Sequence, residues 1–600
     1  MSSVTFPIDG RFDEPFANQM AKLETYNKHH YRPNTYLHKW WARRCGSTFR
    51  LILKHLVADD TTQDYYAPGG LVGKVVLDPM MGGGTTLHEA IRMGANVIGA
   101  DLDPIPLLQA RATLSAVSLL ELEQAFRHFY RLMRRDLEPY FLTRSPVTGT
   151  AVPIWYTLYG LQRQCECQSV LVVDSLTLRI ENDGSSIRIC PYCHDVTTED
   201  TACCDGPQPG KRMLVERTNK VCPTCATVYE EDLSTPFYAR YQPLVIVGSA
   251  KGRQLFFKAL DEDDHALFAD VNKLRDQIDF DRDAFEVDRG RKSVQLYQRG
   301  VENYLDLFST RQLLYLERAV KHLRPFPPLI QLNLALLVST SLEFNSMLCG
   351  YKGKNKRRAG AIRHTFSHHA YSFPYTALEN NPLFPRKASG TLQKLFQARI
   401  RNGRSWAQNP RERLVNKPGI HFVELTGEVD AGREVDAPQD LQSGSRRFYL
   451  RQGSSIDLPL ADGGVDFIVT DPPYYDSVQY SDLSTYFRVW LRHLLPDGAE
   501  WAVDVRESAV DPHKQDRESR YKELLGGIFA ECYRVVKKEN GRLIFTFHHW
   551  NPKAWAALTA ALHHANFRLL NRYVVHSENP ISVHINNMKS LTHDAILVLA

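Results

Sequence analysis

The chain has 600 residues, 43% of them hydrophobic and 24% charged, and carries a formal net charge of +5. That is the balance of a water-soluble globular chain long enough for a sizeable core; it excludes a fibrous or disordered polymer, and the mild positive charge leaves any DNA surface to be local. No apolar run is long enough to cross a membrane and the acid-bearing start from Met1 to Phe16 is no secretory signal, so no membrane partner and a cytoplasmic location are expected.

Asn27-Lys28-His29-His30-Tyr31 leads into Leu37-His38-Lys39-Trp40-Trp41-Ala42-Arg43-Arg44, whose tryptophans suit a core. Lys74 to Leu77 reads as a strand and runs into Asp78-Pro79-Met80-Met81-Gly82-Gly83-Gly84-Thr85-Thr86. A helix follows from Leu87, stopped by Gly94, and Asn96 to Asp101 forms a second strand that ends on an acid. Strand, glycine loop, helix, strand and acid make a mononucleotide-binding half. The glycines let backbone approach a ligand, and the acid suits ribose hydroxyls. The Lys-Ser/Thr ending of a phosphate loop is missing, as are the spaced glycines of a dinucleotide site. Asp101 is the expected ribose ligand; Asp103 reads as a helix cap or a neighbour of the adenine edge. Residues 117 to 140 read as a charged helix with Leu119, Leu122, Phe126 and Phe129 on one face and Arg134 and Arg135 in solvent.

Eight of eleven cysteines lie between Cys165 and Cys225. In a reducing compartment such clustering points to metal before disulfides. Cys190-Pro191-Tyr192-Cys193 and Cys222-Pro223-Thr224-Cys225 are two C-x-x-C knuckles, and short hairpins bearing them can set four thiolates around zinc. With one site, the two knuckles serve. With two, the simplest partition is Cys165, Cys167, Cys190 and Cys193, then Cys203, Cys204, Cys222 and Cys225. All-cysteine ligation leaves no open position, so the zinc is structural; a redox role for the pairs is the weaker reading.

From about 250 to 350 the pattern is helical, with helices over Arg311–Leu323 and Leu329–Leu348. A basic, glycine-containing loop follows, carrying Lys352, Lys354, Lys356, Arg357, Arg358 and Arg363. With Phe366, Tyr371, Phe373 and Tyr375 beside it, it suits nucleic-acid contacts, against the plainer reading of a solvated loop. Residues 405 to 445 read as a polar connector. The strand Phe448-Tyr449-Leu450 and the turn at Gln452-Gly453-Ser454 come next, and then Val465 to Val469, a buried strand ended by Thr470-Asp471-Pro472-Pro473-Tyr474-Tyr475-Asp476.

The last motif answers a chemical problem. The exocyclic amine of a nucleobase is a poor nucleophile because its lone pair is conjugated into the ring. Two acceptors on its hydrogens, the Asp471 carboxylate and the Pro472 carbonyl, would draw that pair out of conjugation. Pro473 shapes the turn, and Tyr474 would stack on a base turned out of its duplex. Paired with the glycine loop, the motif predicts S-adenosylmethionine as cofactor and an amine as acceptor. Asp78, Pro79, Gly82, Gly84 and Thr85 are expected around that cofactor.

These stretches resemble the adenine-specific DNA methylases that contain a zinc ribbon, a branch of the amino-methyltransferases. The likeness rests on Leu37–Arg44, Asp78–Thr86, Asp306-Leu307-Phe308 through Arg311-Gln312-Leu313-Leu314, Asn345-Ser346 with Cys349, Asp471–Arg492, Phe545-Thr546-Phe547-His548-His549 and His576-Ser577-Glu578. Met80 departs from it, standing where the family usually has Phe. The resemblance implies an α/β fold, a Rossmann-like methyltransferase sheet split by a large insertion that carries a zinc ribbon and a helical region. Expected domains are 1–140 with the cofactor loop, 141–250 with the zinc ribbon, 251–440 helical with the basic loop for DNA recognition, and 441–600 with the catalytic motif.

The resemblance also implies that His38 and Trp40 help enclose the methionine end of the cofactor and that Ser454 lies near its adenine, although a serine stands there where an acid is common. Double-stranded DNA is the implied substrate and N6 of adenine the implied acceptor; any role in restriction or phage defence would rest on partner subunits. The same tetrapeptide serves cytosine amines and RNA guanine, and a serine in place of Asp471 would have favoured cytosine. A reading of another class is a zinc-bearing DNA-binding subunit without catalysis, against which the intact Asp471 and glycine loop stand.

Overall fold

The computed structural model describes residues 5–41, 43–198, 203–249, 255–353, 362–367, 369–415, 417–474, 480–508, 517–577 and 592–600. Among the described residues it is a mixed α/β fold whose two largest sheets have eight and nine strands. The first has eight strands: β1 (Val75–Asp78), β2 (Asn96–Asp101), β3 (Arg433–Glu434), β4 (Arg447–Gln452), β5 (Phe467–Thr470), β6 (Arg542–Phe547), β7 (Leu569–His576) and β8 (His593–Leu599). Their spatial order is β3-β4-β2-β1-β5-β6-β8-β7. All neighbours from β3 to β6 pair in parallel, and β8 runs antiparallel to both β6 and β7.

Burial on both faces explains the unbroken apolar strands. Every residue of β1, β5 and β6 is buried, as parallel strands between helical layers must be. Val76, Phe467 and Val469 face α1 (Gly46–Lys54) and α2 (Thr85–Arg92), packing with Phe49, Ile52, Leu87 and Ile91. Leu77, Ile468 and Phe545 face the other way, toward Leu525 and Phe529 on one helix and Ala557 and Leu558 on the next.

The second sheet is formed by residues that lie between β2 and β3. Its spine is the 14-residue strand Ala151–Gln164, paired with Tyr241–Ser249 and Thr376–Asn380. Strand pairing crosses position 250, because Tyr241–Ser249 also pairs with Leu255–Ala259; the stretch expected to be helical from about 250 therefore opens with a strand. The helix expected to run to Leu348 stops at Ser341. There the Asn345 amide donates to the Ser341 carbonyl at 2.8 Å, satisfying an open helix-end acceptor and turning the chain. The regions of the two sheets share one core: Leu313, Leu316, Leu334 and Leu337 pack in the same cluster as Tyr486, Phe487 and Trp490 of α3 (Tyr480–Leu494), which follows Asp471-Pro472-Pro473-Tyr474 in the chain.

Residues 405 to 445, expected to be a connector, contribute structure instead. They hold a hairpin, Arg411–Leu414 with His421–Glu424, and three buried acids, Glu412, Glu428 and Asp430. Glu428 receives Arg50 at 2.8 and 3.0 Å and Arg92 at 2.9 Å. Glu412 receives Arg32 at 3.0 Å, Arg92 at 2.8 Å and the Tyr65 hydroxyl at 2.6 Å. Glu89 completes the set, with Arg32 at 2.6 Å and Arg92 at 3.0 Å. Three arginines and three glutamates balance in charge. Burial would raise the Glu412 carboxyl, but Arg32 and Arg92 hold it down to about 2.

Removing one member strands its partners. Glu412→Gln is expected to cost about 3–5 kcal/mol, read as a lower denaturation midpoint, whereas Asp270→Asn, in the exposed Lys273 pair, leaves the midpoint in place.

Candidate active site

β1 and β5 are parallel neighbours, and the strand order reverses about β1, so their carboxyl ends open a crevice of the kind that binds ligands in open α/β sheets. Asp78 ends β1 and Asp471 follows β5. The strands are tied at that end: Thr470 Oγ1 donates to Asp78 Oδ1 at 2.6 Å, and Thr86 Oγ1 to the Val469 carbonyl at 3.0 Å. Burial pushes the Asp78 carboxyl up to about 6.

The glycine loop turns above β1. Gly82 and Gly84 have φ of +43° and +76°, a region that favours glycine. The Gly82 N–H donates to Asp101 Oδ2 at 2.9 Å, and the Asp103 N–H to Asp101 Oδ1 at 3.0 Å. Asp101 at the end of β2 thus braces the loop and is pushed up to about 7 by desolvation. Asp103 caps the next helix through the Ile105 N–H at 2.9 Å, while Ser484 and Arg488 of α3 meet its other oxygen at 2.5 and 3.1 Å. Ser455, rather than Ser454, anchors the neighbouring turn, donating to the Pro79 carbonyl at 2.6 Å. Thr85 begins the helix after the loop.

Trp40 lies against this loop, its indole nitrogen 3.1 Å from where a Cβ on Gly82 would stand. His38 is buried, with Nε2 2.8 Å from Ser339 Oγ and Nδ1 3.0 Å from the Lys39 carbonyl. Burial drives its pKa down to about 3, so it stays neutral and pins its segment to Ser339. The acid at β2, the left-handed glycines and the indole over the loop together form a cradle whose donors and acceptors suit a nucleoside with ribose hydroxyls.

Asp471 is held from several sides. Arg44 Nε reaches its Oδ2 at 2.6 Å; Thr546 Oγ1 and the Tyr474 hydroxyl donate to its Oδ1 at 2.5 and 3.1 Å. Tyr474 packs edge-on to Phe547, 4.5 Å from the His548 ring, with the Arg44 guanidinium 5.0 Å above its own ring. The Pro473 carbonyl accepts from the Tyr521 hydroxyl at 3.0 Å, which fixes the proline turn. Pro472 is buried. Sequence reasoning assigned no role to Arg44, Thr546, Tyr521 or Asp594. Arg44 and Thr546 lay within quoted motifs, but nothing in their spacing pointed to Asp471.

The basic loop is described at its edges. Lys352 is exposed and Arg363 half-buried, flanking the paired strands Gly350–Tyr351 and Ile362–Arg363; Lys354, Lys356, Arg357 and Arg358 lie outside the described residues. Of the four aromatics next to it, Phe366 and Tyr371 are buried, and Phe373 and Tyr375 are half-buried. Phe366 and Tyr371 are buried against Tyr486 and Phe487, and Phe373 and Tyr375 pack on the core, because the strands after the loop return to the interior.

The cysteines group otherwise than their order suggests. Cys165, Cys167, Cys222 and Cys225 form one cluster, and Cys190, Cys193, Cys203 and Cys204 the other, each with its sulfurs within 4.8 Å of one another. Both the expected partition and the two-knuckle alternative are corrected. The reason is strand pairing: Gln164 and Glu230 exchange backbone bonds of 2.9 and 2.8 Å, carrying the second knuckle to the end of the spine strand. Sulfur separations of 3.2 to 3.7 Å are close to the ~3.8 Å edge of a tetrahedral zinc–thiolate site, so the clusters are compatible with zinc. His194 is turned away, its Nε2 on the Arg212 carbonyl at 2.7 Å.

No protein-family profile matches the chain. It is similar to a Type II methyltransferase, M.BsoBI of Geobacillus stearothermophilus, at 25% identity over 146 residues, 23% of this chain and 27% of that protein. It is also similar to the Type II methyltransferase M.MjaII of Methanocaldococcus jannaschii, at 40% identity over 53 residues, 9% of this chain and 10% of that one. The matches thus span less than a third of either relative. Among the described residues no helix is long and apolar enough to cross a membrane.

Metal analysis checks the cysteine clusters. Two zinc ions per chain are expected; Cys165→Ser with Cys222→Ser should lose one and keep the other, whereas Cys165→Ser with Cys190→Ser should weaken both.

Proposed function

We propose that the chain is an S-adenosylmethionine-dependent DNA methyltransferase that methylates the exocyclic N6 amine of adenine in a base turned out of its duplex. The observation that carries the reading is Asp471-Pro472-Pro473-Tyr474 at the carboxyl end of β5, tied through Thr470 to the acid that opens the glycine loop after β1. The partial similarity to two Type II methyltransferases supports methyl transfer. The strand order, with the antiparallel β8 inserted between β6 and β7, supports a Rossmann-like methyltransferase sheet. Residues between β2 and β3 would be its insertion, carrying structural zinc and the DNA-recognition surface.

Asp101 would hold the ribose hydroxyls, and the backbone of Gly82 and Gly84 the body of the cofactor under Trp40. S-adenosylmethionine supplies a methyl group already activated on sulfur. The protein's part is alignment and desolvation. Asp471 and the Pro472 carbonyl accept the two amine hydrogens, turning the nitrogen lone pair out of the ring plane. Tyr474 stacks on the extruded base. Asp471 need not act as a general base, since the proton can leave after transfer.

Cytosine N4 is the nearer alternative acceptor. Nucleoside mass spectrometry of DNA incubated with the protein and cofactor is expected to find N6-methyladenine, with Asp471→Ala slowing its formation by about a hundredfold or more; methyl on cytosine or RNA would overturn the acceptor, and none at all the reaction. Because Asp101 sits at about 7 and binds hydroxyls as a carboxylate, cofactor affinity should fall by about tenfold from about pH 8 to about pH 6. Calorimetry with Asp101→Asn, expected to bind weakly at every pH, checks the assignment.

A further inference from the structure

Arg44 is the one cation that the described hydrogen bonds place on Asp471, and it is shared. Its Nε meets Asp471 Oδ2 at 2.6 Å and its Nη1 meets Asp594 Oδ2 at 3.1 Å. Asp594 is buried on β8 and is also bonded by His548 Nδ1. Three parts of the chain distant in sequence are thereby joined at one guanidinium: the segment after Trp40, the catalytic turn after β5, and β8 with the residues that end β6. A planar fork with five donors can span two carboxylates; a lysine ammonium cannot do so with the same geometry.

A carboxylate offers about four acceptor sites. Arg44, Thr546 and Tyr474 occupy three on Asp471, leaving about one for an incoming N–H. The contacts fix the rotation of the carboxylate and hence the direction of that last site. We propose that Arg44 is a positioning residue for the amine-binding step: by spanning Asp471 and Asp594 it holds Asp471 as an oriented carboxylate aimed at the acceptor amine, and it lets two acids stand side by side at the crevice. The proposal rests on the reading of Asp471 given above.

Charge balance supplies the test. The groups facing Asp471 are Arg44, Asp594, Tyr474 and Thr546, with His548 against Tyr474 and Asp594, Asp78 beside it on β1 and Tyr521 beneath the proline turn. Burial raises the Asp471 carboxyl and Asp594 adds to that, while Arg44 opposes both. Without Arg44 the two acids repel and Asp471 takes up a proton more readily. Arg44→Gln should therefore move the acid limb of the kcat–pH profile to higher pH, by about one unit or more, with little change in KM for the cofactor. Arg44→Gln/Asp594→Asn, which removes the competing charge, should move it back. Arg44→Lys, which keeps the charge, should leave the limb near its original place with lower kcat, and it serves where the glutamine variant fails to fold.

A second readout does not depend on methyl transfer. A carboxyl whose pKa is raised in the folded state binds its proton more tightly there than in the unfolded chain, so stability is lost as pH climbs above the ordinary aspartate range. Arg44→Gln should make the melting temperature fall more steeply with rising pH than in the parent protein, and adding Asp471→Asn should abolish the extra slope. Parallel slopes in all variants, or a double variant no different from Arg44→Gln in its acid limb, would overturn the proposal. The steeper slope without methylation by the parent protein would uphold the ion triad and overturn its catalytic meaning.

Discussion

One short segment, residues 37–41 with 43 and 44, holds the molecule's working parts in register. His38 is bonded to Ser339, and the Leu37 carbonyl accepts from Thr340. Lys39 pairs with Glu343 at 2.9 Å, and Trp41 packs against Phe366 and Phe487. Those contacts fasten the segment to residues 339–343, to Phe366 and to α3. Its other contacts face the crevice: Trp40 on Gly82, Arg43 against Gly83 and on Gln109, and Arg44 on Asp471. Side chains in one interior cannot shift independently at native packing density. The position of residues 339–343 therefore bears on both the glycine loop and Asp471.

Charge is used in two ways. In the network of Arg32, Arg50, Arg92, Glu89, Glu412 and Glu428 every carboxylate meets arginines in the interior, and the set is neutral overall. Such a set is costly to open and stays closed. At the crevice the described hydrogen bonds give Asp78 and Asp101 no cation. Asp78 and Asp101 are raised to about 6 and about 7 by desolvation, and a single arginine serves both Asp471 and Asp594. Underpaired acids of this kind gain from a ligand that brings hydrogen-bond donors, as a ribose or an amine does.

Local pattern made much of this legible. Continuous apolar runs ended by prolines or glycines mark β1, β2 and β5, because parallel strands are buried on both faces, and the acids at their ends fall at the carboxyl edge by the direction of the chain alone. Asp103 as a cap follows from the same local rules. The cysteines crowded between Cys165 and Cys225 pointed to clusters of a kind compatible with zinc. The partition of those cysteines, the burial of His38, the role of residues 405 to 445 and the partners of Asp471 were not legible.

What the amino-acid order determined by itself is therefore what depends on neighbours a few residues away: strand, turn, glycine loop, cap, and the placing of Asp471-Pro472-Pro473-Tyr474 at the carboxyl end of a strand. The tertiary structure decided what depends on residues hundreds of positions apart. Arg44 reaches Asp471 and Asp594, Glu412 reaches Arg32, and Cys165 meets Cys222 only once strands separated in sequence pair and bury together. The reason is physical: directional bonds and ion pairs act over a few ångströms in space, while sequence spacing sets distance only within a single helix turn, strand or loop.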